Sequence, residues 1–242
     1  MTLILCLKGK DGMVLASDSR GTFGDPRGVT AQNDTQKKVY RLSKFSGMLI
    51  AGSGEIGAMV FSVLVDNMRQ KQEAGVTEIM EIARKALKEK FDEWFSPKRF
   101  QLQPNPAIPV PSRPDLAVII GGYDLLNGEP RVPRIYTLVS AYDFAPMLHD
   151  YGFALQGVGQ YALYLLNRLY RADSPVPNLV PLASYVITET ASQDGKVGGP
   201  IQIVTITSEG CKDLSGAEVA QVIQENEKRK DVLRDSFYGA RS

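Results

Sequence analysis

Thr2, Asp18, Lys37 and Lys38 are the residues of this 242-residue chain whose types and positions suit joint chemistry. A threonine at a free N-terminus unites a hydroxyl nucleophile with its own base, because an α-amino group titrates at about 8 and is partly neutral at pH 7. Thr2 follows the initiator Met1, and threonine is small, so Met1 is expected to be removed and the mature chain to begin at Thr2. A neighbouring lysine would depress the amine's pKa by like-charge repulsion, while a carboxylate would keep that lysine charged and oriented. The stretch "TQKKVYRL" offers Lys37 and Lys38 for that role, and "SDSR" offers Asp18. With His149 as the only histidine, multi-histidine metal sites are excluded. His149, in "PMLHDYG", reads as an ordinary loop or strand residue.

The element that must deliver Asp18 to Thr2 is a hairpin. Leu3 to Leu7 is a continuous apolar run, Gly9-Lys10-Asp11-Gly12 is a turn signal, and Met13 to Ala16 is apolar again. Pairing about the centre of that turn places Asp18 and Ser19 beside Leu3 and Thr2. Runs that are continuous rather than alternating predict a sheet covered on both faces.

Further strands are expected at Lys38–Leu42, Met48–Ala51, Leu116–Gly121, Arg134–Ser140, Gly152–Gln156 and Ile201–Ile206. Helical periodicity marks one segment through Ile56, Val60 and Leu64, and a second through Ile79, Ile82 and Phe91. Two more helices are expected over Gln160–Tyr170 and Leu179–Ser192. Ser215-x-x-Glu218 is a capping-box signature that should open a C-terminal helical tail from about 215. Between them lies "PKRFQLQPNPAIPVPSRP", residues 97–114, whose six prolines predict a surface insertion and not an element. Segregated runs of strands and helices argue for α+β layers in one domain spanning 1–242.

Composition excludes several classes. Lys plus Arg total 28 against 27 for Asp plus Glu, so no global field attracts nucleic acid or an anionic membrane. No segment approaches the roughly 20 apolar residues of a membrane span. Cys6 and Cys211 show no metal-ligand or redox spacing and fit a reduced, cytoplasmic protein. Gly52-x-Gly54-x-x-Gly57 between a strand and a helix has the dinucleotide-binding spacing. That reading also needs a second parallel strand ending near an acidic residue, and Glu73 instead sits in a polar linker before another helix.

"TLILCLKGKDGMVLASDSRGT", "KKVYRL", "MLIAGSG", "GVGQ" and "SQDGKVGG", in that order, resemble the successive motifs of proteasome-type N-terminal nucleophile hydrolases, above all β-subunits. The resemblance implies a four-layer αββα sandwich and an N-terminal threonine peptidase that needs no cofactor or metal. Thr2 matches the family's nucleophile, Asp18 its buried aspartate, Arg20 the arginine two positions later and Lys38 its active-site lysine, with Lys37 the fallback if the register shifts. Gly52 matches the glycine whose N–H contributes to the oxyanion hole, and Asp194 a further aspartate supporting the amine network. Gly21, Gln36, Tyr40, Ile50 and Gly54 fall where the family lines its specificity pocket. An Ile50 floor between glycine walls would suit apolar side chains.

The chain departs from that pattern at Val158 and Val197, where active β-subunits carry serines, and at Leu3, where a second threonine is usual. Loss of those serines makes acyl transfer to an amine, as in a peptide ligase, the alternative activity. A non-catalytic subunit of a proteasome-like ring is the alternative of another class. The implied partners are a polypeptide substrate, copies of the chain in a ring and an ATP-dependent unfoldase, with neither nucleic acid nor membrane.

Overall fold

The computed structural model describes residues 2–25, 28–68, 74–95 and 114–239. The first two strands, β1 (Leu3–Lys8) and β2 (Gly12–Ser17), form the expected hairpin, with Ile4 opposite Ser17 and Gly9 N donating to Gly12 O at 2.7 Å. β1 and β2 lie inside a five-stranded antiparallel sheet ordered β10-β1-β2-β11-β12, where β10 is Phe153–Gly157, β11 Gln202–Thr207 and β12 Gly210–Asp213. A second antiparallel sheet is ordered β5-β6-β7-β8-β9, over Val39–Ser43, Ser46–Gly52, Leu116–Leu126, Glu129–Val139 and Met147–Leu148.

The two-residue side-chain period of each strand sorts the core into three layers. Leu3, Leu5 and Leu7 point toward α3 (Gln160–Leu169), α4 (Val176–Gln193) and α5 (Gly216–Tyr238), meeting Leu166, Leu179 and Val219. Ile4 and Cys6 face the other way, onto Leu49 and Ile119 of the second sheet. On the far side of that sheet, Met48 and Ile50 pack with Val60 and Leu64 of α1 (Gly54–Met68) and Ile79 of α2 (Val76–Trp94). The result is a four-layer αββα sandwich, which explains why the strand sequences are apolar throughout.

Several elements depart from expectation. β3 (Gly21–Asp25) and β4 (Gly28–Asn33) pair as a separate hairpin in a stretch whose glycines, Asp25 and Pro26 carry no alternating apolar pattern. β7 and β8 run longer than expected and are joined at Asn127-Gly128, both at positive φ (54° and 79°), a two-residue Asn-Gly turn. β9 and β12 are short edge strands whose length falls below any readable period. α4 starts three residues earlier than its apolar stripe, at Val176, because Pro177 sits favourably in its first turn. The proline-rich insertion lies outside the described residues except for Pro114, and so does Glu73.

α5 opens on a capping box: Glu218 N donates to Ser215 Oγ, and Ser215 N donates to the Glu218 carboxylate at 2.7 Å. Lys212 and the Ser215 groups hold the Glu218 carboxyl at about 2, below the ordinary 4.5. A depressed carboxylate stabilises the fold above its unfolded-state value, and that contribution fades as pH falls toward the folded one. Ser215→Ala, which removes the cap acceptor and one hydroxyl bond to the Glu218 carboxylate, is expected to lower stability in urea unfolding at pH 7 and to lower it less at pH 2. An equal loss at both pH values would refute the coupling.

Candidate active site

The hairpin register sets Asp18 N on Leu3 O at 3.2 Å, and the Asp18 carboxylate is then completely buried. Its Oδ1 accepts from Thr2 Oγ1 at 2.5 Å, Lys38 Nζ at 2.7 Å and Leu3 N at 3.0 Å. Its Oδ2 accepts from the backbone N–H groups of Arg20 and Gly198, each at 3.1 Å. Five donors on one carboxylate are what a buried charge requires. Lys38 Nζ in turn contacts Asp18, Thr2 Oγ1 and the carbonyl of Arg20, the last at 2.7 Å, so each ammonium proton has an acceptor. Burial pushes the Lys38 ammonium below the usual lysine value, and the Asp18 charge opposes that shift. Lys37 is exposed, with its Nζ over the Tyr40 ring at 5.3 Å, so Lys38 is the lysine that reaches Thr2.

Two anchors set where Lys38 stands, and neither is legible in the linear sequence. The Gln202 carboxamide accepts from Lys38 N at 3.0 Å and donates to Gln36 O at 2.6 Å, replacing a strand neighbour just before β5 begins. Arg20 grips Asp34 with two parallel bonds of 2.7 and 2.8 Å and donates to Gly195 O at 3.0 Å. The Arg20 guanidinium holds the Asp34 carboxyl below the usual range.

Asp194, which the resemblance assigns to the amine network, stands at the C-terminal end of α4. Its carboxylate accepts from Lys196 N at 2.9 Å and its carbonyl from Val197 N at 3.0 Å. Among the described residues no hydrogen bond joins Asp194 to Thr2. It shapes the turn whose Gly198 N–H reaches Asp18. Val197 is fully buried in the core between the first sheet and its helices, and Val158, partly buried, packs against that core. His149 lies beyond the opposite edge of the second sheet, with its ring nitrogens on Thr137 Oγ1 and Tyr151 OH.

A cavity of about 310 Å³ opens beside Thr2 and Lys38, bounded by Gly52 at the end of β6. Ile50 N donates to Lys38 O at 3.0 Å. By the alternation of antiparallel bonding, the Gly52 N–H lies on that same strand edge. Gln36, the residue that the register would set opposite Gly52, has its backbone N–H on Ser19 O and its carbonyl on the Gln202 carboxamide instead. Gly52 has φ +112°, and a Cβ there would stand 2.1 Å from Asp115 O, so only glycine fits. Gly21, Gln36, Tyr40, Ile50 and Gly54 also line the cavity. Glycine walls suited to an apolar side chain were expected, and the Gln36 carboxamide lies between them, 2.6 Å from a Cβ built on Gly21 and 2.5 Å from one built on Gly54.

The family described as "Proteasome subunit" matches residues 2–97. "Proteasome subunit beta" of Methanosarcina mazei is 30% identical over 214 residues, covering 86% of this chain and 88% of that protein. The chain belongs to the proteasome subunit family. "Proteasome subunit beta" of Methanocaldococcus fervens is 27% identical over 229 residues, covering 93% of this proteasome-family chain and 91% of the relative. Among solved structures, "Helical Assembly of the Anbu Complex from Pseudomonas aeruginosa" superposes with a TM-score of 0.74 at 17% identity, covering 99% of this chain and 97% of that one. An Anbu mutant from a Hyphomicrobium strain gives 0.69 at 18% identity. These two likenesses show the proteasome-like fold. The antiparallel order around Gly52, Gly54 and Gly57, with α1 followed by α2 and no parallel strand among the described residues, does not fit a dinucleotide cradle. No helix among the described residues is long and apolar enough to cross a membrane.

Proposed function

We propose that this chain is an N-terminal threonine peptidase acting through an acyl-enzyme on Thr2 once Met1 has been removed. The observation that carries the reading is the buried triangle of Thr2 Oγ1, Asp18 and Lys38 at the inner end of a cavity bounded by Gly52. Thr2 Oγ1 attacks the scissile carbonyl carbon while its proton passes to the Thr2 α-amine. The carbonyl oxygen takes the negative charge and is stabilised by the Gly52 N–H. Collapse breaks the C–N bond, the α-amine hands the proton to the departing amine, and an ester on Oγ1 remains. Water, deprotonated by the same amine, then releases the acid and restores Thr2. Lys38 depresses the amine's pKa, and Asp18 keeps Lys38 charged and in place.

A second reading, transfer of the acyl group to an amine, is favoured by one observation. Positions 158 and 197 carry valines packed on the core, so neither supplies a hydroxyl to order an attacking water. A cleavable peptide with excess amine distinguishes the two, hydrolysis giving only free acid and transfer giving the new amide. We further read the chain as self-associating in the cytoplasm, in keeping with the helical assembly of the Pseudomonas protein, with an ATP-dependent unfoldase as feeder. A strict monomer by native mass spectrometry would remove that picture.

The decisive experiment is labelling with a threonine-directed peptide epoxyketone, which bonds to both the hydroxyl and the free amine. One adduct is expected, on a peptide that begins at Thr2, and none on the Thr2→Ala protein. A folded parent protein that takes up no label would sink the assignment.

A further inference from the structure

The wall of the cavity beside Thr2 carries a half-buried side-chain amide, that of Gln36, with no partner among the described residues. Gln36 is fixed through its backbone, its N–H donating to Ser19 O at 3.1 Å and its carbonyl accepting from Gln202 at 2.6 Å. Its side chain then crosses the cavity wall between Gly21 and Gly54, close enough that a methyl group on either glycine would collide with the carboxamide. Among the described residues that carboxamide makes no hydrogen bond, although it carries two N–H donors and a carbonyl acceptor.

The surroundings make this unmet capacity selective. Ile50 is buried in the cavity wall, and Tyr40 adds its ring, stacked on Phe61 at 4.1 Å, while its hydroxyl proton is committed to Lys37 O at 2.8 Å. The charged groups of the cavity are committed or peripheral: Lys38 is paired with Asp18, while Lys37 and Glu55 are exposed. A charged side chain entering would shed water without gaining a counter-ion. A purely apolar one would dehydrate the Gln36 amide and leave it unpaired.

We infer that Gln36 makes this site selective for peptides whose acyl-side residue is a neutral carboxamide, glutamine or asparagine. Such a side chain lays its methylenes on Ile50 and the Tyr40 ring and exchanges a donor and an acceptor with Gln36. Because the two glycines hold the amide from both sides, little rotamer freedom is lost on binding, which preserves the gain from each bond. The inference rests on the peptidase reading for the identity of the ligand as a peptide, but not on the reactivity of Thr2.

The test is an NMR titration of the Thr2→Ala protein with acetylated tripeptide amides ending in Gln, Met, Lys or Glu. Gln is expected to bind about 10-fold more tightly than Met, its apolar near-isostere, and more tightly than either charged peptide. Gln36→Leu, which removes the amide, and Gly54→Ala, which displaces it without removing any polar atom, should each bring the Gln to Met ratio to about 1. Equal or tighter binding of Met, a Gln preference that survives both substitutions, or no binding of any peptide to the folded protein would overturn it. Failure of the peptidase reading has a separate signature, an intact Gln preference in a chain whose Thr2 takes no epoxyketone label.

Discussion

Lys38→Met is expected to lower the unfolding free energy by about 3 kcal/mol and to slow epoxyketone labelling of Thr2 by about 10²-fold or more. The substitution keeps the length of the side chain but leaves the fully buried Asp18 carboxylate without its cation. Removing one member of a buried pair typically costs about 3–5 kcal/mol, and the lower end applies because three backbone N–H groups still serve Asp18. Asp18→Asn should cost more. Both Asp18 oxygens accept backbone N–H groups, so either orientation of an asparagine turns its NH₂ against a donor. The stranded ammonium can relieve itself by losing its proton, since burial already holds Lys38 below 10.5. A folded-state pKa below the unfolded value means that the unfolded chain binds more protons between the two, so stability there rises with pH. Asp18→Asn should thus gain stability as pH is raised from 7 toward 9, more steeply than the parent. The double variant should cost at least about 1 kcal/mol less than the sum of the single ones. Additivity within about 0.5 kcal/mol in urea unfolding would show that the pair is not coupled.

What the linear sequence disclosed about this pair follows from how each residue is placed. Asp18 is set by a turn only a few residues away, and the pairing register of one hairpin is enough to bring it to Leu3 and Thr2. Lys38 immediately precedes a strand whose apolar residues are plain, although the choice between Lys37 and Lys38 needed either the family motif or the observed face of the chain. Asp34 and Gln202 had no such signal. They act through side-chain bonds to remote segments, Arg20 on one side and the backbone on both sides of Lys37 on the other, and no periodicity encodes such bridges. The β3–β4 hairpin was hidden because its strands have little apolar face to alternate. The Asn127-Gly128 turn, by contrast, carried a strong local signal that the shorter strand assignments passed over. Pocket positions were legible but their content was not: Gly21 and Gly54 look like room for a ligand until Gln36 is seen between them.

Under the proposed peptidase mechanism, Gly52→Ala is expected to reduce kcat by about 10²–10³-fold, with kcat/KM falling in parallel, because that mechanism has Gly52 N–H meet the oxyanion only in the transition state. The backbone at φ +112° alone would cost about 1–3 kcal/mol of stability for a residue with a Cβ. The obstruction 2.1 Å away is the carbonyl of Asp115, which also accepts from Ser53 N at 3.1 Å. That carbonyl cannot yield without loosening the strand end, so the peptide carrying the Gly52 N–H must move instead. Gly128→Ala supplies the control, because Gly128 has φ +79° but no atom within 4 Å of a built Cβ, in a turn at the far end of β7 from Gly52's partner Leu116. It should show the backbone penalty in urea unfolding and leave kcat unchanged. If Gly52→Ala loses stability as Gly128→Ala does yet keeps its kcat, the close approach at Gly52 serves only the turn into α1, and the oxyanion must be stabilised elsewhere.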